Sequence, residues 1–502
     1  MPGLTSSLNI GLSGLQAAQG ALSVVGHNIA NVNTPNYSRQ RVELNSNQPQ
    51  TFGTLEFGTG VSFTNIMGVR DKFLEMQITQ STSRQSGANA RYAGVEGISS
   101  VFEEDGNSGL SSLVQNYFRS FQQLAARPED SSARTNITGQ AQSLVNGLKS
   151  RYQLLEEQRT LSDQSIAITV TEINTLTAQI ASLNDRISSE PTPGADSDGR
   201  DQRQALANQL ASLVGIQVFE DNRSRLQITL DSGVAVLVSG SKAYSMSAAP
   251  DNSVPNPLDN NYRRVYVDMG GASPVDVTTL VKEGSLGANL ELRDTTLRGY
   301  EATLDELAAG IVGQTNLLHR TGYDLSGSAV AGTAWQDLFL GAAANGANGI
   351  PATVSAANNY RGMVNAMTVN AAIVANPSRI AAANAANSPG NNVNAQALAN
   401  LQNAVNVVDT NGDGTGDSGP FQTVISSLVS TIGTDSQRSE STATTQDNLI
   451  SALKTQRDRV SSVDLDEEAT ALLSYQRGYQ ASARFISVID QLTAQLISQF
   501  AT

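Results

Sequence analysis

A chain of 502 residues with a net charge of -14 at pH 7, 5% aromatic residues and no cysteine is long enough for several domains. It excludes disulfides, catalytic thiols and thiolate metal centres, and its acidity, with no opposing Lys/Arg cluster, argues against nucleic acid as a partner. No apolar run is long enough to span a bilayer, and the first thirty residues lack the basic and densely apolar parts of a secretory signal, which fits a cytoplasmic protein or one exported without a cleaved signal peptide.

Leu8, Leu15, Leu22 and Ile29 recur every seven residues, with Leu4, Ala18 and Val25 beside them. This predicts a helix whose narrow apolar seam is buried only against another helix. Ala30, Asn31, Thr34, Pro35, Asn36 and Tyr37 then read as a turn, since proline presets its first central position and Asn36 tolerates left-handed backbone at the second. Ser38 to Phe63 alternates weakly between glycines, as short strands or an extended hairpin do.

Asp71 to about Arg127 and Ser131 to Ile187 carry helical periodicity. In the second stretch Ile166, Ile173, Ile180 and Ile187 mark an antiparallel hairpin or bundle. A loop with Pro191 and Pro193 and a helix from Arg200 to Val214 follow. From Gly215 the period shortens: 216–219, 226–230, 234–238 and 264–267 predict a small antiparallel β unit. Helix returns from about Ser285 to His319. Residues 322–437, rich in Ala, Asn and Gly, predict loops, short strands around Met367 to Val374, and helical pieces at Ala395–Val408 and Phe421–Thr431. Ser439 to Phe500 is helical with a break at Ser461 and Ser462, and Leu465, Leu472, Tyr479, Ile486 and Leu496 mark a second seam.

Few residues suggest chemistry. Asp409, Asn411, Asp413 and Asp417 occupy the first half of a calcium loop, but Pro420 stands where the bidentate Glu belongs, so a polar turn is the simpler reading and no metal is expected. His27 and His319 have no serine or carboxylate constellation around them and read as surface or interfacial imidazoles. Asp464, Asp466, Glu467 and Glu468 complement a helix dipole, with Ser462 as the expected N-cap. Phosphate-binding glycine loops are absent. No catalytic residue and no cofactor is expected. The two seams could close an ordinary helical domain within one monomer. Their small residues, Gly11, Gly14, Ala17, Ala18, Ala481 and Ala483, favour contacts between subunits, because they leave little apolar area for independent stability.

The segments LSGLQAAQ at 12–19 and HNIANVNTPNY at 27–37, with VDLDEEA at 463–469 and YQRGYQASARFI at 475–486, resemble the opening and closing signatures of bacterial flagellar axial proteins: rod, hook and hook-associated proteins. The acidic Leu-Asp-Glu-Glu version is similar to the first hook-associated group, the FlgK type of the hook-filament junction. QIASLNDRI at 179–187, DQRQAL at 201–206, LVGI at 213–216, GSLG at 284–287 and NAAIVANPSRI at 370–380 favour that group over the hook protein, whose middle is mostly β. Two departures stand out. Asn36 replaces a usual glycine and keeps left-handed tolerance, and Gly322 to Ala366 matches little.

The resemblance implies a mainly α multidomain axial protein with inserted β. Residues 1–37 and 464–502 would pair as a coiled coil, 38–215, 285–325 and 438–463 would form the helical bundle, 216–284 the β unit and 326–437 a mixed insertion. It further implies a structural adaptor that self-assembles into a ring, with hook protein below and the next hook-associated protein or filament layer above. Export would run through the flagellar secretion apparatus to the outside, with a cytoplasmic chaperone covering the C-terminal helix. Another axial subunit (hook, rod or flagellin), or a secreted calcium-binding adhesin using the Asp409 loop, are the alternatives.

Overall fold

The computed structural model describes residues 2–52, 55–102, 109–190, 196–251, 261–341, 360–405, 408 and 419–500. The expected calcium-loop residues Asp409, Asn411, Asp413 and Asp417 lie outside them, as do Pro191 and Pro193.

Helices dominate. α1 (Pro2–Ala30) is followed by β1 (Gln40–Ser46), β2 (Gln50–Phe52), β3 (Leu55–Phe57) and β4 (Val61–Gly68). β1 pairs antiparallel with β4, and β2 with β3, forming a long hairpin laid along α1. α2 (Lys72–Ser99) and α3 (Leu110–Ala126) lead into α4 (Ser131–Ser189), one unbroken helix of 59 residues, about 90 Å long at the helical rise. The expected 131–187 stretch is thus a single rod and not itself a hairpin. Asp71 and Asp130 start α2 and α4 by accepting backbone N–H groups of the first turn, as an N-cap must.

Two apolar cores are threaded on α4. The first gathers Ile137, Leu144, Leu148 and Leu155 of α4 with Tyr117, Phe118 and Phe121 of α3, and with residues of α7 (Leu297–Arg320) and α11 (Phe421–Ser461). The second joins Ile166, Ile173 and Ile180 of α4 to α5 (Ser197–Leu213) and two antiparallel sheets. One sheet runs β5 (Ile216–Glu220), β6 (Leu226–Leu230), β7 (Val236–Ser239), β8 (Lys242–Ala243). The other runs β11 (Val275–Asp276), β10 (Arg263–Asp268), β9 (Ser245–Pro250).

Two asparagines of α4 fix both sheets in register. Asn174 exchanges bonds with the backbone of Met246 at 2.7 and 2.8 Å. Asn184, fully buried, donates to the Leu226 and Gly240 carbonyls and accepts from the Leu226 N–H, each at 2.8 Å. Each amide supplies hydrogen-bond partners to backbone groups of a sheet.

Between the cores lies a charged layer. Arg159 and Asp163 of α4 face Arg293 and Glu301: Arg159 meets Glu301 at 2.6 Å and Arg293 meets Asp163 at 2.8 Å. At the same level the helix after α6 (Gly284–Glu291) widens into a π-helical turn, Leu292–Thr296, before continuing as α7. Arg159 donates to the Arg293 carbonyl, within this wide turn, at 2.9 Å. The single helix expected from Ser285 to His319 is therefore interrupted in its hydrogen bonding.

The described residues of the 326–437 segment pack against the first core. Phe339 of β12 (Phe339–Leu340), Met363 and Val364 of α8 (Met363–Ala366), Ile373 of α9 (Ala371–Ala375) and Leu398 of α10 (Val393–Asn400) complete the first core. The strand expected over 367–374 shrinks to β13 (Thr368–Val369), after which Asn370 caps α9. Phe421 opens a helix that runs 41 residues without a break, so the expected boundary at 437 falls inside it. His319 is fully buried rather than superficial: its Nδ1 lies 2.8 Å from the Gln336 carbonyl and its Nε2 accepts the Ala381 N–H at 3.0 Å. Burial pulls its pKa down to about 4, and the neutral ring pins this segment to α7.

Candidate assembly surface and the latch behind it

α12 (Leu465–Phe500) packs alongside α1. A Cβ added at Gly11 would lie 2.8 Å from Ile486, and one at Gly14 would lie 3.0 Å from Ser482. As α1 advances α12 therefore retreats, so the pair is antiparallel, and small residues let the backbones approach. Leu8, Leu15, Leu22 and Ile29 are half-buried and Val25 is buried. On α12, Leu472, Ile486 and Leu496 are half-buried as well. Leu465 and Tyr479 differ from the expected seam, being 51% and 38% exposed. The register that sets Gly11 by Ile486 carries Leu465 past the end of α1, where no helix is left to cover it. Ile489, outside the seven-residue series, is buried instead.

A second apolar face of α12 is uncovered. Phe485, Val488 and Leu492, spaced three and four apart and so on one side of the helix, are exposed, as is Leu12 on α1. The pair thus buries mainly alanine and valine and turns larger apolar groups outward.

A set of polar contacts fastens this pair to the body. The Thr34–Tyr37 turn closes with the Tyr37 N–H on the Thr34 carbonyl at 3.2 Å, and Asn36 takes φ +62°. Asn28, buried at the end of α1, exchanges bonds of 2.9 Å with the Gln40 backbone in both directions and accepts the Tyr37 hydroxyl at 2.8 Å. Asp201 of α5 accepts the Ser38 N–H at 3.0 Å and its hydroxyl at 2.7 Å, and pairs with Arg70. Asp198 receives the Gln40 amide at 2.8 Å and lies 3.3 Å from exposed His27.

On the opposite side Arg39 donates its backbone N–H to the Ser461 carbonyl at 2.8 Å. Its guanidinium contacts Glu468 at 2.6 Å and also pairs with Glu467. Asp464, not Ser462, caps α12, accepting the Asp466 and Glu467 N–H groups at 2.9 and 3.4 Å; Ser462 instead ends α11. The acidic turn therefore both starts α12 and grips Arg39. Burial would depress the Arg39 pKa, but Glu467 and Glu468 hold it above its ordinary value. Burial, then the charges of Asp198, Asp201 and Glu468, push the Tyr37 phenol up, so it stays a donor. Arg39, Arg70 and Asp201 escape sequence reading because their partners lie 131 to 429 residues away.

Among the described residues no group of three or more His, Cys, Asp or Glu is placed to hold a metal ion, and no helix is long and apolar enough to cross a membrane. The arrangement offers surfaces for assembly and a fastening for them.

Three family models match. Residues 95–339 match the flagellar hook-associated protein FlgK helical domain, 8–37 the flagella basal body rod protein and 456–499 the flagellar basal body rod FlgEFG protein C-terminal region. Flagellar hook-associated protein 1 of Salmonella typhimurium is 29% identical over 566 aligned residues, covering 99% of this chain and 100% of that protein. The protein of the same name from Escherichia coli is 28% identical at the same coverage. The solved structure of the flagellar hook junction protein FlgK from Burkholderia pseudomallei superposes with a TM-score of 0.65 at 18% identity, over 77% of this chain and all of that one, and so shares its fold.

Proposed function

We infer that this chain, a flagellar hook-associated protein of the FlgK type, is the structural adaptor of the hook-filament junction. It is a component of the bacterial flagellum that assembles with hook and filament components. One observation carries the mechanism: the terminal pair buries small residues within the monomer and leaves Phe485, Val488 and Leu492 exposed on one side of α12. Such a face is stable in water only when another surface covers it.

In this reading copies of the chain pack their terminal pairs side by side into a ring on the hook, and the ring carries the next layer. Leu8, Leu15, Leu22, Val25, Ile29, Leu472, Ile486 and Leu496 hold each pair closed, while Leu465 and Tyr479, exposed in the monomer, belong to contacts between copies. Ala30, Asn31, Thr34, Pro35 and Tyr37 set the exit angle toward the latch. The chain leaves the cell through the flagellar export apparatus with its termini unpaired, since an isolated short helix is marginal in water, and a cytoplasmic chaperone shields α12 before export.

Electron microscopy of cells lacking the protein, with flagellin assayed in the culture fluid, tests the role. Hooks without filaments, together with shed flagellin, are the expected result. Normal filaments would remove the junction assignment.

A further inference from the structure

Beside the charged layer the surface opens into a cavity of ≈ 440 Å³ whose lining includes Arg159, Tyr262, Arg264, Arg293, Arg298 and Arg361. In a chain of net charge -14 this wall reverses the sign: its described residues carry five guanidinium groups and two carboxylates, Asp251 and Asp294. Both carboxylates are already engaged. Asp294 holds Arg293 through two bonds of 2.7 Å, and Asp251 contacts Arg264 at 3.2 Å. Arg159 and Arg293 are 3% exposed, fixed from the interior by Glu301 and Asp163, and stand 4.8 and 5.4 Å from the centre of the Tyr262 ring. Thr279 and Asn261 add neutral donors.

Two buried donors of this wall have no hydrogen-bond partner among the described residues: the Tyr262 hydroxyl and Arg264 Nε. Unpaired buried donors are uncommon, and a missing acceptor is a standard cause. Fixed, partly desolvated guanidinium groups recognise oxygen anions through short, charge-assisted bonds. The volume suits a small ion and is too small for a polymer.

We propose that this cavity is a binding site for a small oxyanion of the phosphate or carboxylate type. The ion comes either free from solution or as a carboxylate presented by a second copy of the chain. Full-length protein titrated calorimetrically with sodium phosphate at constant ionic strength should bind about one ion per chain saturably. Tyr262→Phe and Arg264→Gln should each weaken binding several-fold, while Arg119→Gln, on exposed α3 surface, leaves it unchanged. Sedimentation at rising protein concentration separates the sources: phosphate that disrupts self-association assigns the site to a neighbour's carboxylate, and phosphate that binds without changing it assigns the site to a free ion. No saturable binding, or an isotherm unaltered by both substitutions while the variants melt like the parent, would overturn the proposal.

Discussion

The terminal pair and the body are built on opposite terms. In the body Leu144, Leu155, Ile166 and Ile180 lie along one helix with their side chains wholly out of water, and helices of three sequence regions close around them. In the pair the buried positions are mainly Ala17, Ala18, Ala21, Val24, Val25 and Ile489, with leucines only half covered. Because hydrophobic stabilisation scales with the apolar surface buried, the body's large buried side chains contribute more to its fold than the small ones of the pair do to theirs. Under the assembly proposed above, the body would fold on its own and the pair would complete its packing against neighbouring copies.

The sharpest break of this contrast is the double substitution Leu472→Asp and Ile486→Asp. It should abolish incorporation into flagella, scored by motility and electron microscopy, while the body's thermal transition stays in place. Normal incorporation would remove the seam. Inside the body, Glu301→Gln removes the buried carboxylate that pairs with Arg159. Removing one member of a buried ion pair costs about 3–5 kcal/mol, so urea unfolding should show a loss of that order, with the terminal pair's local protection unaffected by any direct contact.

The body also holds two buried groups with opposed pH responses. Burial pushes the Asp305 carboxyl up to about 7, although it accepts the Gly362 and Val364 N–H groups. Its stabilising contribution is complete below the ordinary carboxylate range and is lost as pH rises toward 7. Burial lowers His319 to about 4, so its contribution is present above its ordinary 6.5 and is lost as pH falls toward 4. Asp305→Asn should therefore leave a stability that rises with pH between 4 and 7, and denaturant midpoints across that range will check the sign.

Smaller effects belong to the latch. Arg39→Ala should cost about 1–3 kcal/mol of local stability, the scale of a hydrogen bond to a charged group, and should raise hydrogen exchange in the first turns of α12 while leaving α4 protected. Asn36→Gly should change stability by less than about 1 kcal/mol, because φ +62° suits glycine at least as well.

The contrast also explains what the sequence revealed. The terminal helices and the short β strands were legible because apolar repeats at helical spacing and period-two runs are local signals. The insertion was not, since its course depends on buried polar side chains: Asn316 bonding the Leu338 and Phe339 N–H groups at 2.9 and 3.0 Å, Asn394 donating to Ala381 at 2.8 Å, and Arg134 reaching the Ile380 carbonyl at 2.6 Å. Asn394 sits in a run of Ala and Asn that looks like loop, and Asn316 and Arg134 act from helices outside the insertion. The continuous α11 hid behind its Ser, Thr and Gly433. The charged layer could not be read at all, because Arg159 and Glu301 are 142 residues apart.

The antiparallel sense of α1 and α12 has a mechanical corollary. Each helix enters the body through its own short connection, near residues 31–39 and 462–464, and the latch ties both to α5 and α11. A body hung on one strand could swivel about it, whereas two anchored strands side by side form a couple that resists twisting. Torque applied to the terminal helices is therefore delivered to the body instead of being dissipated at the connection.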